Sequence, residues 1–208
     1  MKILYYDCFS GISGDMNLGA MIDLGVDSDY LRAELKKLKL HGCEMVVEKD
    51  QRHGISGTKV TVRQTGHEHA HRHLSDIVNI IDKSLLDAGT KELSKKIFLK
   101  VAEAESLVHR IPLEKVHFHE VGAIDSIVDT VGAAVCFNTL GVDAVFIGPV
   151  ELGDGFVNCS HGRLPVPAPA TAEIVKGLQV KKGGAGFEAT TPTGAAILAA
   201  LGTHFSNL

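Results

Sequence analysis

The sequence predicts an α/β (α+β) chain, with a mixed sheet packed with helices. Three observations carry that expectation. Short strand-type runs and amphipathic stretches of helical period alternate along the whole chain. The 208 residues are 45% hydrophobic and 22% charged, enough for a sizeable core in one or two globular domains. No internal repeat imposes a solenoid or propeller. The expected organisation is a single α/β domain over residues 1–208, with a His-rich loop at 66–73.

Ile3 to Phe9 reads as a buried strand, Ser10 to Gly14 as a Gly/Ser turn, and Asp15 to Leu24 as a helix stopped by Gly25. Ser28 is the expected cap of a second helix whose Leu31, Leu35 and Leu38 share a face. Met45 and Val47 alternate with glutamates, and Val60 and Val62 with Lys59, Thr61 and Arg63. They predict two half-buried strands around a turn containing Gly54 and Gly57. Ser75 to Leu86 is amphipathic. Thr90 is the expected cap of a longer helix with the stripe Leu93, Ile97, Val101, Ala104 and Val108, and Pro112 ends that region. Asp125 to Leu140 is apolar almost all round, so a central buried helix is expected, closed by Gly141. Val142 to Val150 and Gly155 to Cys159 read as strands. Pro165, Pro167 and Pro169 lead into a helix from Ala170 to Lys176, and Thr190 to Gly194 opens a last helix, Ala195 to Leu201.

Composition removes several function classes. The net charge is −4 and the pI about 6.2, so no basic footprint points to nucleic acid. Tryptophan is absent and aromatics are few, which disfavours base stacking. Cys8, Cys43, Cys136 and Cys159 are scattered without a C-x-x-C, as in a reducing compartment. Asp7 interrupts a short N-terminal apolar run, and Ile127 to Leu140 is too short to span a bilayer. A cytoplasmic protein without membrane partners is the expectation.

Six places hold residues suited to chemistry. His67, His69, His71 and His73 occupy every second position. In a strand all four rings project to one side, and in a helix His67 joins His71 and His69 joins His73. Imidazole favours Ni, Cu, Zn and Fe, so the tract reads as a metal-capture segment. His117-Phe118-His119-Glu120 supplies an N,N chelate if extended, or N,O if helical. Asp125 and Asp129 stand one helical turn apart at the start of the most apolar helix. Capping explains the first carboxylate well and the second poorly, whereas a cation or an Arg partner would explain both. Ser10, Gly11, Ser13 and Gly14 form a strand-to-helix turn able to approach an anion, and Thr191, Thr193 and Gly194 open a helix that could do the same. Cys159 and His161 pair a thiol with an imidazole.

These segments together resemble one family. The runs are Asp7-Cys8-Phe9-Ser10-Gly11-Ile12-Ser13-Gly14-Asp15-Met16, His73-Leu74-Ser75-Asp76-Ile77, Val116 to Asp129 (VHFHEVGAIDSIVD), His161 to Thr171 (HGRLPVPAPAT) and Thr191-Pro192-Thr193-Gly194-Ala195-Ala196. The chain is similar, from Met1 to about Leu201, to the nickel-insertion family of nickel-pincer cofactor biosynthesis, the LarC family. The resemblance implies a lyase-class cyclometallase. It inserts Ni2+ into a pyridinium bisthiocarboxylate mononucleotide, giving the cofactor of lactate racemase-type enzymes. It also implies CTP dependence, with CTP and Mg2+ or Mn2+ bound by a C-terminal domain that this sequence does not resemble. That domain would then act in cis or in trans.

The resemblance does not fix residue roles; from residue type, His67, His69, His71 and His73 are expected to capture nickel. His117, His119, Glu120, Asp125 and Asp129 hold it for transfer. His119 or Glu120 accepts the proton displaced from the ring carbon. Either the Ser10–Gly14 turn or the Thr191–Gly194 helix start is expected to seat the mononucleotide phosphate. The alternative is a nickel store or metallochaperone without chemistry, and a third reading is a Zn or Mn hydrolase. Self-association is left open. Deleting His67 to His73 separates the first two readings. Nickel loading, followed by equilibrium dialysis, is expected to weaken while turnover at saturating nickel persists. Loss of all nickel binding with the tract would remove the HFHE segment as a nickel site.

Overall fold

A computed structural model describes residues 1–64, 72–118, 121–202 and 204–205. In chain order, the first elements are β1 (Ile3–Tyr6), α1 (Gly14–Asp23), α2 (Ser28–Lys36), β2 (Cys43–Arg52), β3 (Ile55–Gln64), β4 (Arg72–His73), α3 (Leu74–Lys83) and α4 (Ala88–His109). After a 3-10 turn at Leu113–Lys115 come β5 (His117–Phe118), α5 (Ile124–Leu140), β6 (Ala144–Ile147) and β7 (Val150–Glu151). The chain closes with β8 (Phe156–Cys159), β9 (Gly162–Pro165), α6 (Pro169–Ile174), β10 (Val180–Lys181), α7 (Pro192–Leu201) and β11 (His204–Phe205). The mixture of α and β elements agrees with the sequence. The expected loop at 66–73 lies outside the described residues up to His71, and its last two residues are strand instead, because Arg72 and His73 pair with Phe118 and His117.

The chain gathers into two compact units, each assembled from separated stretches. The first comprises Met1–Ser13, Lys96–Val116 and Gly141–Leu208. Its sheet is parallel, in the order β1-β6-β11, with Ile3 opposite Ala144 and Tyr6 opposite Ile147. A second parallel pair joins β7 to β10, and β8 and β9 form an antiparallel hairpin. Helices α6 and α7 pack together, with Ile197 and Leu198 fully buried. A fully buried side chain of this size contributes roughly 1.5–3 kcal/mol.

The second unit comprises Gly14–Lys95 and His117–Leu140. It places α1 on β3 and on α5, and α2 on α5. Leu18, Leu31, Ile77, Ile81, Ile127 and Val131 are fully buried. The long hairpin β2–β3 sets Glu44 opposite Arg63 and Glu48 opposite Lys59, favourable cross-strand pairs.

Several local expectations shift by a residue or two, each for a visible reason. The second helix is capped by Asp27, whose carboxylate accepts the Tyr30 amide at 2.7 Å, so Ser28 is already helical. Helix α4 starts before Thr90, because Asp87 accepts both the Thr90 amide (2.9 Å) and its hydroxyl (2.6 Å). The β2–β3 turn is His53-Gly54, both at positive φ, and Gly57 lies within β3. The expected strand at Val142–Val150 divides into β6 and β7 around Gly148 and Pro149. The first strand ends at Tyr6, with only Leu4 buried.

One close approach within the first unit depends on missing side chains. Ile12 pairs with Thr190 in an isolated parallel bridge. The Ile12 amide donates to Ala189 O (3.0 Å), and the Thr191 amide to Ile12 O (3.1 Å). A Cβ at Gly11 would lie 2.0 Å from Ala189 O, and one at Gly194 would lie 2.2 Å from Ile12 O. Gly194→Ala is therefore expected to lose about 2–4 kcal/mol in a denaturant titration, since backbone must move to admit the methyl. A loss below about 0.5 kcal/mol, the size of an ordinary surface change, would contradict this packing.

Candidate metal centre

Pairing of β4 with β5 sets Arg72 opposite Phe118 and His73 opposite His117. The two imidazole centroids are 5.9 Å apart, with ring planes at 65°. Two rings bound to one tetrahedral ion through nitrogens at about 2.0–2.1 Å would sit roughly 5 Å apart, so a small closure converts the pair into an N,N chelate. The arrangement is anchored from below. Phe118 is fully buried, and the Arg72 guanidinium donates to Gly122 O at 2.8 Å. The His73 amide donates to the Asp76 carboxylate at 2.9 Å, which fixes the start of α3. Thus the last histidine of the tract and the first of the HFHE segment share one short ladder. His67, His69, His71, His119 and Glu120 lie outside the described residues. Among the described residues no three His, Cys, Asp or Glu side chains stand as a ready metal-holding group.

The same unit contains a crowded set of carboxylates. Asp125 and Asp129 lie in the first turns of α5, and Asp15 in the first turn of α1. Burial pushes the Asp129 carboxyl up to about 8, with further upward pressure from the charges of Asp15 and Asp125. Its Oδ1 is buried without a hydrogen-bond partner. Gly14 makes room for it: a Cβ there would lie 2.4 Å from Asp129 Oδ2. Asp125 is exposed and accepts the Ser126 amide at 2.8 Å, inside the helix and not at its cap. Asp15 is absent from the ligand set read from the sequence. Its separation from α5 along the chain hides the convergence, although its place after Gly14 in the strand-to-helix turn was a signal. A divalent cation would relieve the repulsion among three carboxylates.

The two turns expected to seat an anion meet each other through Ile12. Ser10, Gly11 and Ser13 fall in the same unit as Thr191, Thr193 and Gly194, while Gly14 opens the other unit. Much of their polarity is already used. The Gly11 amide donates to Cys8 O (3.0 Å), Thr191 Oγ1 accepts the Gly194 amide (3.2 Å), and the Thr190 hydroxyl donates to Glu151 O (2.6 Å). Ser10 is exposed and Ser13 half-buried. The neighbouring Cys8 thiol is pushed up to about 12 by burial and by Asp7, so it is not a thiolate at neutral pH. Cys159 has its Sγ 3.4 Å from Gly162 O, while His161 stacks on His109 with centroids 4.9 Å apart.

The carboxylate cluster makes stability depend on pH. Asp129 is raised in the folded chain from an ordinary 3.8 to about 8, so folding favours its protonated form. The stability it contributes is full below the unfolded value and is lost as pH rises through the folded one. Between pH 4 and pH 8 the metal-free chain is expected to weaken. Asp129→Asn is expected to flatten that decline and to stabilise by roughly 2–4 kcal/mol at alkaline pH, read by denaturant titration at several pH values. A parent and variant with parallel pH profiles would contradict the assignment.

The family model for nickel insertion proteins matches residues 4–208. The chain is 53% identical over 211 residues to the pyridinium-3,5-bisthiocarboxylic acid mononucleotide nickel insertion protein of Clostridium kluyveri, covering 96% of this chain and 53% of that protein. It is 55% identical over 208 residues to a relative from Wolinella succinogenes named for nickel insertion, covering 99% of this chain and 52% of the relative. A similarly named relative from Dictyoglomus thermophilum is 47% identical, with 100% and 54% covered. The chain spans about half the length of these curated relatives. No solved structure matches it. No described helix is long and apolar enough to cross a membrane. With most of its length matched by the family model and by relatives at this identity, the chain belongs to the nickel insertion protein family.

Proposed function

We propose that this chain performs the nickel-handling half of a cyclometallation. Ni2+ is inserted into a pyridinium bisthiocarboxylate mononucleotide to give a nickel-pincer cofactor. The observation that carries the reading is the β4–β5 register, which sets His73 of the capture tract opposite His117 of the HFHE segment. Family membership and the name of the Clostridium kluyveri relative supply the substrate class.

Nickel is the cargo. A borderline ion held by imidazoles remains exchangeable toward sulfur. In the proposed sequence, His67, His69 and His71 concentrate Ni2+, and His73 and His117 receive it. His119, Glu120, Asp125 and Asp129 complete the donor set, and the convergence of Asp15 on Asp129 supports adding Asp15. Two thiocarboxylate sulfurs then displace protein donors. As the nickel–carbon bond forms, the ring C–H bond breaks and its proton passes to His119 or Glu120. Ser10 and Ser13, or Thr191 and Thr193, seat the phosphate, and the exposed Ser10 and half-buried Ser13 support the first of these, while Gly11 and Gly194 are taken up by backbone packing at Ile12.

CTP with Mg2+ or Mn2+ belongs, on this reading, to a C-terminal domain acting in cis or in trans. The half-length coverage of the relatives is consistent with that division. The reaction falls in the lyase class and takes place in the cytoplasm.

The test combines the chain, Ni2+, CTP, the dithiocarboxylate mononucleotide and a family C-terminal domain, with the nickel–carbon product followed by mass spectrometry. Product is expected only with that domain present. His117→Asn and His73→Asn are expected to lower its rate at limiting nickel on the order of tenfold or more. Full activity in both variants would overturn the role given to this pair. Nickel binding without product under all conditions would favour the storage reading.

A further inference from the structure

We infer that Glu105, His109 and His161 form a second binding site for a borderline divalent cation, in the unit that does not contain the His73–His117 pair. Glu105 and His109 lie one helical turn apart near the C-terminal end of α4, with Glu105 Oε2 3.2 Å from His109 Nε2. His161 sits in the turn between β8 and β9, exposed, with its ring centroid 4.9 Å from that of His109 and tilted by 42°.

Both separations match coordination geometry. A carboxylate oxygen and an imidazole nitrogen on one tetrahedral ion are about 3.3 Å apart, and two imidazole centroids roughly 5 Å apart. A simple helical ion pair accounts for Glu105 with His109, and the tilted His161 ring brings a second imidazole beside them. The helix end adds partial negative charge, which favours a cation there. The three side chains also differ in exposure. Glu105 and His109 are 15% and 30% exposed, whereas His161 stands on an exposed turn.

In the structure the carboxylate–imidazole contact stands where the ion would enter, and no three donors converge on one point among the described residues. Binding places the ion between Oε2 and Nε2 and turns the His161 ring onto it. Two nitrogens and one oxygen suit Ni2+, Zn2+ or Co2+ and disfavour Mg2+ or Ca2+.

The test uses Ni2+ alone. In a full-length variant with His67, His69, His71, His73, His117 and His119 all changed to Asn, equilibrium dialysis is expected to retain about one ion per chain. Adding His109→Asn or His161→Asn should weaken that binding on the order of tenfold or more. Absence of retained nickel in the folded background, or an effect of these changes below about twofold, would overturn the site. Should the background variant unfold by circular dichroism, the parent chain answers the question by NMR. Ni2+ should then broaden the side-chain resonances of His109 and His161, and broadening confined to the tract would overturn the site. Neither arm reads product formation, so failure here leaves the proposed insertion activity standing.

Discussion

A ladder only two residues long decides where His73 and His117 stand. Arg72 faces Phe118 and His73 faces His117, and nothing in so short a pairing would persist through its own backbone bonds. It is held by what surrounds it. Phe118 is sunk in the core, and the buried Arg72 guanidinium reaches across to Gly122 O. A buried arginine costs desolvation unless it is hydrogen-bonded, so its contact with the segment leading into α5 ties the ladder to that helix. Side-chain packing thus positions the imidazoles, which themselves lie at the surface end of the pair.

The same helix carries an opposite kind of constraint. Asp129 is packed against the start of α1 because Gly14 leaves space for it, yet its surroundings disfavour its charge. Such a placement weakens the fold at neutral and alkaline pH, and perturbed carboxylates of this kind concentrate at functional sites. On the proposed reading, a cation shared with Asp15 and Asp125 would resolve the conflict by replacing three-way repulsion with attraction. The His73–His117 pair and this carboxylate cluster lie in one unit, and imidazole and carboxylate are donor types that the proposed nickel cargo could use in turn.

Much of this was legible in the sequence, because helical periodicity and turn residues are local signals. The α5 and α7 segments read correctly from their apolar character, and the pairing of β2 with β3 from alternation. The Asp125–Asp129 anomaly was visible as a second charge that capping left unexplained. Less visible were features made by distant contacts. Asp15 joins that pair through the packing of α1 on α5, and His73 meets His117 through strand pairing across an intervening helix pair. The stretch from Ser10 to Gly14 suggested glycines opened for a ligand. Gly11 and Gly194 instead admit each other's neighbouring backbone, and local composition does not distinguish these two uses of a missing side chain. Nor could linear reading mark the two units, since each is built from separated stretches.

The most direct measurement is nickel K-edge X-ray absorption on the full chain loaded with one equivalent of Ni2+. The account predicts imidazole multiple scattering, diminished when His73 and His117 are both replaced by Asn, with oxygen completing the shell. A spectrum of oxygen donors alone, or one unchanged by the double replacement, would contradict it.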